Sequence, residues 1–126
     1  MNSIEIWHQV VQTQDHGLLD GILAEECVFY SPVVHTPQVG KAVTLLYLSA
    51  AAHVFNKDFR YTREISDDRN STLEFECEID GIFVNGVDLI TLNAEGLISE
   101  FKVMIRPLKA INILHKKMGE MLQQIG

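Results

Sequence analysis

The clearest periodicity in the chain lies between Leu73 and Ile79, where Leu73, Phe75, Cys77 and Ile79 alternate with Glu74, Glu76 and Glu78. Successive side chains of a strand point to opposite faces, so this run predicts a half-buried strand with its carboxylates outward. Phe59 to Ile65 alternates in the same way and puts Phe59, Tyr61, Arg63 and Ile65 on one face. Asp80-Gly81 predicts a turn, Phe83 to Leu92 a strand, Asn93-Ala94-Glu95-Gly96 a hairpin turn, and Leu97 to Ile105 the returning strand.

The N-terminal half follows a helical period instead. Asn2 and Glu5 form a capping-box pattern, and Ile6, Trp7, Val10 and Val11 follow at helical spacing, predicting a helix over 3–14. Asp15 is placed to cap a second, short helix that turns Leu18, Leu19, Ile22 and Leu23 to the core. Cys27 to Ser31 is β-rich and stops at Pro32, and the prolines and glycine between Pro32 and Gly40 predict a loop. Over 41–55, Val43, Leu46, Tyr47, Ala50 and Val54 share one face of a third helix. Pro107 opens a last helix with core positions Leu108, Ile111, Leu114, Met118 and Met121.

Helices followed by a run of antiparallel strands predict an α+β fold. The expected form is a cone-shaped, curved antiparallel sheet with the N-terminal helices packed on its concave face and a C-terminal helix. Such a shape leaves a cavity. With 126 residues, 47% of them hydrophobic, a single domain over 1–126 with one core is expected.

Composition then narrows the partners. The formal net charge is −7 and the ten Lys and Arg are scattered, so no basic stripe is available to meet phosphates or anionic headgroups. Neither nucleic acid nor a membrane surface is expected as a partner. Cys27 and Cys77 sit in apolar runs without a CxxC neighbour and read as buried thiols, which suits a reducing cytoplasm. Met1 to Glu5 has no basic n-region, and the weakly polar stretch 42–55 is shorter than the roughly 20 residues of a membrane helix. A soluble, cytoplasmic protein is expected. His8, His16 and His115 show no ligand spacing, so no metal site is expected, and no cofactor.

The element order resembles the nuclear transport factor 2-like superfamily with its SnoaL-like domains. So do the stretches Glu26-Cys27-Val28-Phe29-Tyr30-Ser31-Pro32, Val39-Gly40-Lys41-Ala42-Val43 and Gly86-Val87-Asp88-Leu89-Ile90 with Gly96-Leu97-Ile98. The resemblance covers nearly the whole chain and implies the cone fold, an apolar pocket and a homodimer through the convex sheet face. The superfamily holds ketosteroid isomerase, polyketide cyclases and binding modules without catalysis, so chemistry has to be read from the site. Aligned back from Ser31-Pro32, Ser31 stands where ketosteroid isomerase has its aspartate base and Trp7 where it has an oxyanion-hole tyrosine. A serine hydroxyl alone is too weak a proton acceptor to replace that base. Val103 stands where epoxide hydrolases and cyclases place a catalytic aspartate. Asp88 falls on the second oxyanion-hole residue, a carboxylic acid held neutral by an apolar site.

The hairpin register decides what Asp88 does. Three loop residues with a bulge at Gly96 pair it outward with Lys102. A four-residue loop turns it inward with Ile90, Leu92, Phe101 and Val103, where desolvation raises its pKa. In that case Val87, Leu89, Thr91, Ile98, Glu100, Lys102 and Met104 form an outer face apolar enough for a dimer. His35, in the loop at the expected cavity mouth, is either a surface histidine or a base in place of Ser31. Arg63 either clamps a ligand carboxylate at the rim or makes a structural ion pair. Trp7, Phe29, Tyr47, Phe75, Cys77 and Phe101 are expected on the cavity wall.

Two functions follow as expectations. One is binding of a small apolar molecule with one polar group, anchored by Asp88. The other is an isomerase, cyclase or dehydratase acting on a carbonyl substrate, with Asp88 as acid or base and His35 beside it. A third, a non-catalytic dimerisation module, predicts a solid interior.

Overall fold

The structure is a computed structural model that describes the backbone of residues 2–125 and the side chains of 2–124. Met1 and Gly126, the ends of the expected domain, lie outside the described residues. The elements are α1 (Ser3–Thr13), a three-residue 3-10 turn (His16–Leu18), β1 (Leu23–Tyr30), β2 (Gln38–Val39), α2 (Lys41–Val54), β3 (Lys57–Ser66), β4 (Asn70–Ile79), β5 (Ile82–Leu92), β6 (Ile98–Arg106) and α3 (Leu108–Ile125). The six strands form one curved, unclosed sheet in the order β2-β1-β6-β5-β4-β3. All neighbours are antiparallel except β1 and β6, which run parallel.

α1 begins where the sequence predicts, since Asn2 Oδ1 accepts the Glu5 N–H at 2.9 Å. It ends at Gln14, whose left-handed backbone returns its N–H to Val10. The expected second helix is only the 3-10 turn, capped by Asp15 as foreseen. Gly17 and Gly21 weaken a helix there, and Ile22 gives its carbonyl to Ile98, so Leu23 already belongs to β1. β2, a two-residue strand within the expected loop, pairs with β1.

On α2 the fully buried positions are Thr44, Leu48 and Ala50, of which Ala50 alone belongs to the stripe the sequence suggests. The helix is apolar round most of its circumference, so periodicity alone does not choose its inner face. α3 buries Ala110, Leu114 and Met118, while Leu108, expected in the core, is 70% exposed on the helix's first turn.

β4 has the expected alternation, with Leu73, Phe75, Cys77 and Ile79 buried. Its glutamates face outward and each meets a base on β3: Lys57 with Glu78 at 2.9 Å, Arg60 with Glu76 at 2.6 Å, and Arg63 with Glu74 at 2.7 Å. Exposed pairs of this kind add only about 0–1 kcal/mol each. Their value is in fixing register.

Two one-residue bulges decide which side chains enter the hollow. Tyr61 pairs with Phe75 and Arg63 with Glu74, so Thr62 is an extra residue in β3. Past it the parity reverses, and Arg63 and Ile65, expected inward with Tyr61, face outward. In the β5–β6 hairpin Leu92 pairs with Ile98 but Thr91 with Glu100, so Ser99 is extra. Asp88 therefore lies opposite Val103 on the inner face, through a five-residue connection and a bulge that the sequence reading does not contain. Ile98 is consequently buried and leaves the expected outer set, of which Met104 (49% exposed) is the open apolar member; Phe83 (53%), outside that set, is also open.

Gly86 in β5 has no room for a side chain. A Cβ there would collide with the Phe75 ring and lie 2.7 Å from Ile105 Cδ1 and 2.9 Å from the Met104 carbonyl. Its absence lets Phe75 lie flat over β5.

Candidate functional site

Between the concave face of the sheet and α1, α2 and α3 lies a cavity of about 80 Å³. Its walls are almost entirely carbon, and its buried polar group is Asp88, 5% exposed on the inner face of β5. Tyr61 of β3 donates its hydroxyl proton to Asp88 Oδ2 at 2.6 Å, and Trp7 of α1 donates its indole N–H to Tyr61 Oη at 2.9 Å. A helix and two strands thus meet in one three-residue chain of hydrogen bonds. Asp88 Oδ1 has no hydrogen-bond partner among the described residues and opens on the cavity.

Burial pushes the Asp88 carboxyl up to about 7, and the hydrogen bond from Tyr61 opposes that shift without cancelling it. The Tyr61 hydroxyl is held well above the usual phenol range by burial first, then by the charge and hydrogen bond of Asp88, with Trp7 opposing. Tyr61 therefore stays a neutral donor at any working pH. Asp88 is the group that titrates near neutrality.

Trp7, Phe29, Ser31, Phe75, Phe101, Val103 and Asp88 all lie on the cavity wall. Four other expected site residues do not. Tyr47 is one layer back, with its ring 5.3 Å from that of Phe29. Cys77 is buried farther along β4, and burial pushes its thiol up to about 12, which makes it inert. Arg63 is outside the cone for the parity reason given above. His35 is exposed, on an outer groove with Tyr30 and Lys102. Its loop opens with a turn at the cavity wall, in which Ser31 Oγ accepts the N–H groups of Val33 and Val34. The same bonds tie Ser31 into that turn.

Tyr61 is the group that reading the sequence misses as a site residue. Its inward parity is legible, but its partnership with Asp88 depends on three strands in register. The walls also use Gln14, Leu48, Ala51, Ala52, Phe55, Phe59 and Met118. Of the histidines, His8 lies 2.9 Å from Glu64, and His53 donates to the Ser49 carbonyl. No group of three or more His, Cys, Asp or Glu is gathered as a metal site among the described residues, and no helix among them is long and apolar enough to cross a membrane.

Solved structures place this architecture. A steroid delta-isomerase from Pseudomonas aeruginosa is 31% identical, with a TM-score of 0.94 over 98% of this chain and 90% of its own. The chain belongs to the nuclear transport factor 2-like superfamily. An uncharacterised bacterial protein with a cystatin-like fold, from Silicibacter pomeroyi, is 34% identical with a TM-score of 0.88, covering 94% of this chain and 83% of that one. A nuclear transport factor 2-like protein of unknown function from Mesorhizobium loti, 23% identical with a TM-score of 0.71 over 83% and 91%, shares the fold. No family model and no curated protein matches the chain. In this chain an indole and a tyrosine lead to one buried carboxyl, and Ser31 and Val103 stand at the positions where the resemblance implied a base and an acid.

Proposed function

We propose that this chain is a small-molecule-binding protein whose ligand occupies the cavity and rests one polar group on Asp88. The observation that carries this reading is a buried carboxyl with one oxygen unbonded within the chain, opening on an otherwise apolar hollow. A carboxyl in such surroundings lowers stability, and perturbed groups of this kind concentrate where something binds. The hollow also favours this reading over a module that only dimerises, whose interior would be filled. At about 80 Å³ the cavity is well below the roughly 300–1,000 Å³ typical of drug-sized ligands, so a small ring suits it. Ala51 on the wall provides a test. Ala51→Phe puts a ring into the hollow and is expected to weaken binding of hits from a thermal-shift screen at least tenfold, with the circular dichroism spectrum kept. Unchanged binding would place those ligands elsewhere.

A second reading is favoured by the 31% identity to the steroid delta-isomerase and by a carboxyl near 7, close to the optimum for a general base. Asp88 Oδ1 would take a proton from carbon next to a carbonyl and return it at another position. Deuterium uptake by a small β,γ-unsaturated cyclic ketone is then expected to be at least a hundredfold faster with the parent chain than with Asp88→Asn. Equal rates would leave binding alone.

A further inference from the structure

The hydrogen bonds around Asp88 have a fixed direction. An indole N–H can only donate, so Trp7 must give its proton to Tyr61 Oη, and the one proton of Tyr61 must go to Asp88 Oδ2. Both protein donors beside the carboxyl are consumed inside the chain. Oδ1 faces the cavity as an acceptor, and no lysine, arginine or histidine lies on the cavity wall. The two other polar wall side chains are partly engaged: the Gln14 amide gives one N–H to the Val11 carbonyl, and Ser31 Oγ accepts two N–H groups in its turn while keeping its own hydroxyl proton. The rest of the wall is aliphatic or aromatic, with the rings of Trp7, Phe29, Phe59, Phe75 and Phe101. Aromatic faces carry partial negative charge and attract cations.

The one buried polar group, Asp88, offers an acceptor, and the aromatic wall offers π-faces. At Asp88 a carbonyl ligand finds a donor only if the carboxyl is protonated. An ammonium group meets both the free oxygen and the ring faces in its charged form, and it supplies the positive partner that a buried carboxylate lacks. Taking the cavity as the ligand site proposed above, we propose that its ligand is a small apolar primary or secondary amine. It binds as the ammonium ion, with an N–H donated to Asp88 Oδ1 and its carbon skeleton against the aromatic wall. Asp88 is about nine-tenths ionised one pH unit above its midpoint near 7, so at pH 8 the carboxylate form is available.

The test uses three probes with one carbon skeleton: cyclopentylamine, cyclopentanol and cyclopentanone, titrated at pH 8 against the emission of Trp7, the chain's single tryptophan. The amine is expected to bind at least tenfold more tightly than the alcohol or the ketone. Asp88→Asn, which keeps an acceptor for Tyr61, is expected to bring the three within a factor of about three. A ketone or alcohol that binds as tightly as the amine overturns the proposal, and so does an amine preference that survives in Asp88→Asn. The ranking in the parent chain stands without any variant. If none of the three changes Trp7 emission, the ligand-site reading itself fails, a result distinct from loss of amine preference.

Discussion

Asp88→Asn is expected to stabilise the fold by roughly 4 kcal/mol at pH 8 and to change it by well under 1 kcal/mol at pH 4. In the unfolded chain Asp88 ionises near 3.8, and in the folded chain at about 7. Between these values the unfolded state holds fewer protons at this position, so stability falls as pH rises from about 4 to about 7 and is level beyond. Below about pH 3 both states are protonated and the contribution vanishes. Asparagine cannot ionise, so its variant escapes the decline. Other titrating groups are common to both chains: Asp67 is held low by the N–H groups of Arg69 and Asn70, and Glu74 by Asn85 and Arg63. The difference between two urea-unfolding series at pH 4, 6 and 8 therefore isolates Asp88. Parallel series would mean that the carboxyl is not desolvated in the folded protein.

Phe75→Ala is expected to cost about 3–5 kcal/mol, a large part of the 5–15 kcal/mol that holds a typical domain together. Phe75 is 1% exposed, stacks on Phe59 at 5.0 Å, meets Phe55 edge-on at 5.6 Å, and covers Gly86. Truncation would leave a void between strands that Gly86 cannot fill, and would also remove the surface against which the Tyr61 ring stands at 6.3 Å. Both urea midpoint and Trp7 emission should change, because Tyr61 is the acceptor of the indole N–H. A loss under about 1 kcal/mol would show an interior loose enough to collapse around the deletion.

Much of the fold was legible because its signals are local. The β4 alternation, the Asn2 cap and the helix after Pro107 each depend on residues a few positions apart, and each stands where expected. The site is legible only in part, for a physical reason that Thr62 and Ser99 make plain. A single extra residue in a strand reverses every side chain beyond it, and nothing in the composition of Tyr61-Thr62-Arg63 or Ile98-Ser99-Glu100 marks the bulge. Arg63 was accordingly expected inside and is outside. Asp88 reaches the interior through a register that neither weighed alternative contained. The link from Trp7 through Tyr61 to Asp88 spans 81 positions of chain, and only the assembled sheet brings its members together.

The paired charges along β3 carry one more consequence. β3 is the outermost strand on one side of the sheet, and β2, only two residues long, is outermost on the other. An open strand edge invites another chain to add itself and grow into an aggregate. Here one margin is too short to template a newcomer. The other is bent by two bulges, one at Thr62 and one between Lys57 and Arg60, and it bristles with Lys57, Arg60 and Arg63. Both features work against another strand adding itself at these margins.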